Sequence, residues 1–264
     1  MDDRQLAVLE HENWIEYLVG AITCGANTLV AHDRGIVTIL SGLPMRLFNQ
    51  VLVEGDKASG EAITEGVSRA RERRDRFVVH LRDGIDDRFM ETTRAAGLVS
   101  SGTAEFTPGM AWHPIASKSL QTRSDDRFQI RQVTDEPGVG HHVRALTDGF
   151  GLDDVIAPGI MCPDLARRDG WAVYVGYRDG EPVSTGLGLR TGRTIGVYNI
   201  ATVEPARGRG YGQAMTARVV ADGVAAGCDV AILQASAMGQ PIYARMGFRV
   251  VDRYVGWIDP DRKG

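Results

Sequence analysis

The stretch Val203-Glu204-Pro205-Ala206-Arg207-Gly208-Arg209-Gly210-Tyr211-Gly212-Gln213 constrains this chain more than any other. It follows an apolar run, Val197 to Val203, that reads as a strand. It precedes Ala214 to Ala226, a small-residue run that reads as a helix. A Gly-rich turn between strand and helix presents several backbone N–H groups at the positive end of the helix dipole, which suits a phosphate. The glycines permit positive φ and let a bulky anion approach without a Cβ in the way. Arg207 and Arg209 add charge at the same mouth. The plain alternative is a Gly-rich turn with two solvated arginines. Gly208, Gly210 and Gly212 lack the third glycine of a dinucleotide-binding turn at its usual spacing, and no Gly-Lys-Ser/Thr follows to make a Walker loop.

What does fit is Arg207-x-x-Gly210-x-Gly212, preceded by Val203-x-Pro205. This resembles the pyrophosphate loop of the GNAT superfamily of N-acetyltransferases, which bind acetyl-CoA there. Ile232-Leu233-Gln234-Ala235-Ser236 is similar to that family's next strand, and Ile242-Tyr243-Ala244-Arg245-Met246-Gly247-Phe248 to its LYxxxGF segment. The resemblance implies that the amides of Gly208, Arg209, Gly210, Tyr211, Gly212 and Gln213, with Arg207, hold the CoA pyrophosphate. It implies that Ala201, Thr202 and Val203 pair with the pantetheine arm, the carbonyl-polarising N–H lying at Val203. Ser236 would face the same arm. Tyr243 would be the general acid for the CoA thiolate, against the alternative of a core tyrosine at a helix start.

The general base departs from the family pattern. Many relatives carry a Glu on the strand before the loop, where this chain has Tyr198, Asn199 and Ile200. An ordered water held by Asn199 or Tyr198 could deprotonate an amine acceptor, which would then attack the thioester directly, without a covalent enzyme intermediate. Glu204 reads as solvent-facing. In this family the acceptor is selected by the first helix pair and its loop, here Asp148 to Gly159. Phe150 could form an apolar wall there, and Asp153 and Asp154 could meet a cationic amine. A solvated acidic loop is the alternative.

Internal repetition organises the rest. At an offset of 150 residues, Val203 falls on Val53, Asn199 on Asn49, and Gly247-Phe248 on Gly97-Leu98. The loop Arg207-x-x-Gly210-x-Gly212 falls on Lys57-x-x-Gly60-x-Ala62, which Glu54, Asp56 and Glu61 crowd with negative charge. Tyr243 falls on Thr93, which has no phenol-like acidity. The expectation is an α/β mixed-sheet fold of two tandem GNAT-like domains: residues 1–117 a degenerate, non-catalytic copy, 118–127 a linker, and 128–264 the catalytic domain. In the first half, the strand-like Ala104 to Trp112 reads as its closing element. In the second, a helix is expected near 155–168, followed by consecutive antiparallel strands over 171–177, 183–189 and 195–203.

The 264 residues suffice for one large or two small domains. A net charge of −4 gives no basic field for nucleic acid, and the arginines from Arg69 to Arg76 are interleaved with Glu72 and Asp75 as on a solvated helix face. No apolar stretch approaches the ~18 residues of a membrane span, and the acidic start lacks signal-peptide order, so a cytoplasmic protein is expected. Cys24, Cys162 and Cys228 are far apart, and His141 and His142 point in different directions on a predicted helix, so no metal site is expected. The reading is an acetyl-CoA-dependent N-acetyltransferase acting on an amine of a small molecule or peptide, with a homodimer allowed. The alternatives are an acyl-CoA-binding sensor without turnover and a synthase-like acylation of a thiol-metabolite precursor.

Overall fold

The computed structural model describes residues 1–102, 108–116, 120 and 127–262. In chain order its elements are α1 (Asp3–Ile22), β1 (Leu29–Asp33), β2 (Ile36–Leu40), β3 (Asn49–Val53), α2 (Gly60–Arg73), β4 (Val78–Arg82), α3 (Met90–Ala95), β5 (Val99–Gly102) and β6 (Gly109–Trp112). There follow β7 (Phe128–Val133), α4 (Glu136–Phe150), α5 (Ile156–Ile160), α6 (Pro163–Ala166), β8 (Trp171–Arg178), β9 (Glu181–Thr191) and β10 (Thr194–Thr202). The chain ends with α7 (Tyr211–Ala225), β11 (Val230–Gln234), α8 (Gln240–Met246), β12 (Arg249–Asp252) and β13 (Tyr254–Ile258). Most of the expected linker, and the first part of the expected strand from Ala104, lie outside the described residues.

Two mixed sheets result, and each belongs to one compact unit. The loop-bearing unit comprises residues 1–14 and 109–251, the companion unit residues 15–108 and 252–264. The division therefore does not follow the halves of the sequence. The loop-bearing sheet runs β12-β6-β11-β10-β9-β8-β7, and the companion sheet β1-β2-β3-β4-β13-β5. Instead of closing the first half, β6 pairs antiparallel with β11, from Ala231↔Trp112 to Gln234↔Gly109. Reciprocally, β13 from the C-terminal end pairs with β4 and β5 of the companion sheet. Strand pairing needs no sequence proximity, so a cut drawn at a polar stretch misses such an exchange.

Local chemistry explains the helices of the loop-bearing unit. Asp135 caps α4 by accepting from the Gly138 N–H at 3.1 Å, with a proline in the first turn and Gly151 in the left-handed conformation at its end. The single helix expected near 155–168 is two short ones, α5 and α6. Pro163 cannot donate an N–H and restricts Cys162 to extended backbone, so a new helix starts there. On one face of the sheet α7 packs its Met215, Val219 and Val220 onto Ile195, Val197 and Leu233. Gly223 makes the approach possible, since a Cβ there would lie 2.6 Å from Ile195. Trp112 of β6 meets Phe248 edge-on at 5.4 Å and joins this core.

The first turns of α1 are also part of this unit. The Asn13 amide donates to Leu189 O at 3.1 Å and Thr191 Oγ1 at 2.7 Å, and its oxygen accepts the Tyr198 hydroxyl at 2.7 Å. Glu10 is buried, accepts from Gln234 Nε2, and its carboxylate lies over Gly109. In the companion unit, α2 covers Ile36, Leu40, Val51, Val79 and Leu81 with Ile63 and Val67. Among the described residues, no helix is long and apolar enough to cross a membrane.

A fragment of residues 128–264 lacks β6 and α1, which leaves the β11 edge unpaired and Gln234 and Tyr198 without Glu10 and Asn13. It should show no cooperative thermal transition, measured by circular dichroism beside the full chain; a cooperative monomeric fragment would contradict the exchanged-strand architecture. Burial also sets a pH dependence. His142 is fully buried, donates from Nδ1 to Tyr174 O at 3.0 Å, and burial pushes its pKa from 6.5 down to about 4. The unfolded chain takes up this proton before the folded one, so stability present above pH 6.5 is lost as pH falls toward 4, by up to about 3 kcal/mol. Urea unfolding across that range should show the slope in the wild type and a flatter one in His142→Gln.

Candidate functional site

β10 and β11 run parallel and pair at Thr194↔Val230, Ile195↔Ala231 and Gly196↔Ile232, and then part. β10 continues to Thr202 on its own side of the gap, and β11 to Gln234. Opposite the gap, β10 is held to β9 with a register shift between Tyr198 and Ala201. Asn199, at this bulge, has φ +53°, and its carbonyl accepts from Thr185 Oγ1 at 2.6 Å. Ser184 Oγ donates to Ala201 O at 2.8 Å. The two hydroxyls of β9 thus pin the bulged strand from behind.

Beyond β10 a short turn over Glu204–Ala206 leads to Gly208 at φ +75° and Gly210 at φ +83°. A side chain at either would meet nothing within 4 Å, so the need for glycine is conformational and the loop is open to approach. Gly210 is the N-cap of α7; no side chain caps the helix and no acid stands in its first turn. The positive end of the dipole of this 15-residue helix therefore has no acidic side chain in its own first turn.

The predicted site residues fall into two sets. Arg209, Gly210 and Gln213 are exposed on the loop and first turn, and Gly212 is half-buried above Ile200 and Thr202. Tyr211 is different: its ring is buried and stacked on Phe128 at 4.0 Å, which leaves the loop its backbone alone. Arg207 bonds protein carbonyls, donating from Nε to Thr202 O at 3.2 Å and from Nη2 to Gly149 O at 2.9 Å. It thereby ties the root of the loop to the C-terminal end of α4.

One expectation needs correction. The Val203 N–H, expected to polarise a thioester carbonyl, donates to Val183 O at 3.0 Å in the sheet. Strand residues alternate, so the main-chain groups turned away from β9 are those of Thr202, consistent with its carbonyl meeting Arg207. The Val203 N–H is therefore engaged within the sheet.

Gly149 lets α4 touch the same strand, for a Cβ there would lie 2.8 Å from Ala201 Cβ. This brings the α4–α5 loop beside the strand end, with Phe150 54% exposed and Asp153 and Asp154 exposed. Tyr198 is buried with its hydroxyl on Asn13, and Ser236 is exposed, its Oγ accepting from the Gly239 N–H at 3.1 Å at the entry to α8. Tyr243 on α8 packs edge-on against Phe248 at 5.9 Å. Burial, opposed by a hydrogen bond with Thr216, pushes its pKa from 10.0 up to about 12, so it is a phenol at neutral pH and has a proton to give. Cys228 is buried, and burial pushes its thiol pKa up, as in a core cysteine. Among the described residues, no group of three or more His, Cys, Asp or Glu could hold a metal ion.

Sequence reading missed Asn13 and Glu10. Glu10 and Asn13 are polar residues three apart on α1, and nothing in their spacing tells that they meet residues near 198 and 234.

The equivalent strand and helix start in the companion unit are built differently. β3 pairs with β2 over five unbroken positions, from Ile36↔Val53 to Leu40↔Asn49, with no bulge. Ser59 caps α2 by accepting from the Ala62 N–H at 3.2 Å, and Glu61 stands in the first turn, bound to Arg34 at 2.7 Å. A Cβ on Gly35 would lie 2.5 Å from Ala58 N, so the loop is seated against the β1–β2 turn.

Residues 160–239 match the family model described as an acetyltransferase (GNAT) domain. None of the curated proteins matches the chain significantly. Among solved structures, a GCN5-related N-acetyltransferase from Kribbella flavida is similar at 15% identity and a TM-score of 0.68, over 94% of this chain and 95% of that one. A tandem GNAT protein from the clavulanic acid biosynthesis pathway is similar at 12% identity and a TM-score of 0.62, over 97% and 94%. A GCN5-related N-acetyltransferase from Sphaerobacter thermophilus is similar at 17% identity and a TM-score of 0.56, over 85% and 80%. The resemblance to the GNAT superfamily and the tandem fold read from the sequence are both borne out.

Replacing Arg207 by Met removes two hydrogen bonds that fasten the loop root. It should lower unfolding stability by about 1 kcal/mol in a denaturant titration. Unchanged stability would mean that the guanidinium serves solvent or ligand alone.

Proposed function

We propose that this chain, whose residues 160–239 match the acetyltransferase (GNAT) domain model, transfers an acetyl group from acetyl-CoA to a primary amine of a small molecule or peptide. The observation that carries the reading is the uncapped, acid-free start of α7 behind Gly208 and Gly210, at the end of a bulged strand that has parted from its neighbour. The diphosphate of the donor substrate meets the N–H groups of Gly208 to Gln213 with Arg209 beside them. Its pantetheine arm enters the gap between β10 and β11, where Thr202 offers main-chain groups. The amine comes from the side of the α4–α5 loop, where Asp153 and Asp154 favour a cation and Phe150 an apolar neighbour. Its nitrogen bonds to the thioester carbon directly, the C–S bond breaks, and Tyr243 donates its proton to the departing thiolate. The surplus proton on nitrogen passes to water, from which the phenolate regains one.

The companion unit is read as a non-catalytic copy. Its helix start is already capped by Ser59 and guarded by Glu61, and an anion there would face a carboxylate in place of free N–H groups.

Calorimetric titration with acetyl-CoA should give one site per chain, lost in Gly210→Glu and kept in Gly60→Glu. Two sites would overturn the reading of the companion unit, and no binding would overturn the enzyme reading. Tyr243→Phe should keep acetyl-CoA affinity and lower turnover roughly 100-fold. A protein that binds acetyl-CoA yet acetylates no amine in a broad panel would be a sensor.

A further inference from the structure

We propose that the cleft between the last turns of α7 and the start of β8 is a second ligand site. It binds a small zwitterion of the amino-acid class, with the carboxylate on Arg190 and the ammonium on Asp222. This goes beyond the acyl-transfer reading and stands without it.

The cleft measures about 450 Å³, a volume in which proteins commonly hold small molecules. All its walls belong to the loop-bearing unit. It exists because the residues facing α7 at this corner of the sheet are small. A Cβ on Gly188 would lie 3.0 Å from Val219 and 3.9 Å from the Ala172 Cβ. Ala172, Ile195 and Val219 supply an apolar lining. The turn at Gly208 and Gly210 is at the other end of α7, about 20 Å away for 15 residues rising about 1.5 Å each. The two places are therefore separate.

Two charged groups on the cleft have bonding capacity to spare. Arg190 fixes its main chain by donating its N–H to Gly170 O at 2.8 Å. Its guanidinium makes no hydrogen bond among the described residues, and its ion pair is with Asp169 at 3.6 Å, whose side chain is almost wholly exposed. Such a surface pair is readily exchanged for a better one. On α7, Asp222 accepts the Tyr174 hydroxyl and Arg218 Nε through the same oxygen, Oδ2, each at 2.8 Å. These bonds hold the carboxylate in place, and Oδ1 has no hydrogen-bond partner among the described residues.

The charges select the ligand. A guanidinium donates a parallel pair of hydrogen bonds to a carboxylate. A phosphate dianion would find the same fork, but also Asp169, Asp222 and the negative end of α7, whose last turn has no basic residue. Those negative groups favour an ammonium. Arg218 already offsets part of the Asp222 charge, so a ligand with one charge of each sign suits the cleft better than a bare cation. The size of the cleft keeps the two charges close together, as on the α-carbon of an amino acid, and the lining suits an apolar side chain.

The test is calorimetric titration of the full chain with L-leucine, with 4-methylpentanoate, which lacks its amine, with 3-methylbutylamine, which lacks its carboxylate, and with inorganic phosphate. L-Leucine should bind, and each analogue should bind roughly tenfold more weakly. Arg190→Gln should weaken L-leucine by a similar factor with an unchanged thermal midpoint, since that guanidinium makes no hydrogen bond within the fold. Arg190→Lys keeps the charge without the fork and should restore binding only in part. No binding of L-leucine, equal binding of either analogue, tighter binding of phosphate, or indifference to Arg190→Gln overturns the proposal. Gly210→Glu should leave L-leucine binding intact; its loss there would place the ligand at the Gly208–Gly210 turn and overturn the proposal as well. If acetyl-CoA does not bind, the acyl-transfer reading fails while the L-leucine result decides this one.

Discussion

The parting of β10 from β11 after Gly196 and Ile232 is the constraint on which the loop-bearing unit depends. Parallel strands ordinarily satisfy each other's backbone groups, and a gap between them leaves polar edges that need support from elsewhere. Here the support is divided. Ser184 and Thr185 hold the bulged part of β10 from β9, Arg207 fastens its last carbonyl, and β6 closes the far edge of β11. The opening is thus held by groups behind it and at its ends.

The companion unit is built on the same frame without the bulge and with a capped helix start. β2 and β3 pair without a bulge, a serine caps the helix that follows, and Arg34 joins Glu61 across the helix start. Each change exchanges an outward-facing polar group for an internal partner. That is how a duplicated fold can keep its packing, with Leu98 and Phe248 buried after left-handed Gly97 and Gly247, while its two loops diverge in chemistry.

Within the candidate site, the charged and phenolic groups have unequal freedom. Arg209 is exposed and Arg207 is tied to two carbonyls, although the sequence presents them as a matched pair. Tyr198 and Tyr243 are both read from the sequence as site residues, but one is locked to Asn13 on α1 and the other packs edge-on against Phe248. Their different partners leave the Tyr198 hydroxyl engaged within the sheet and the Tyr243 ring on the aromatic edge of Phe248.

Much was legible in the sequence because it is local. The glycines at 208 and 210 have to be glycines for their own φ angles, Asp135 caps a helix three residues away, and the alternation in 171–203 makes consecutive hairpins. The repeat was readable too, since positive-φ glycines and buried apolar positions recur at one offset. The exchange of β6 and β13 was not, nor was the reach of Asn13 and Glu10 into the loop-bearing sheet, nor the diversion of the Val203 N–H to Val183. By itself the sequence determined which segments are strands, helices and phosphate-ready turns, because those depend on neighbours a few residues away. Tertiary structure decided which strands share a sheet and which polar atoms remain for a ligand, because a hydrogen bond is settled by proximity in space, and its partner can come from the other end of the chain.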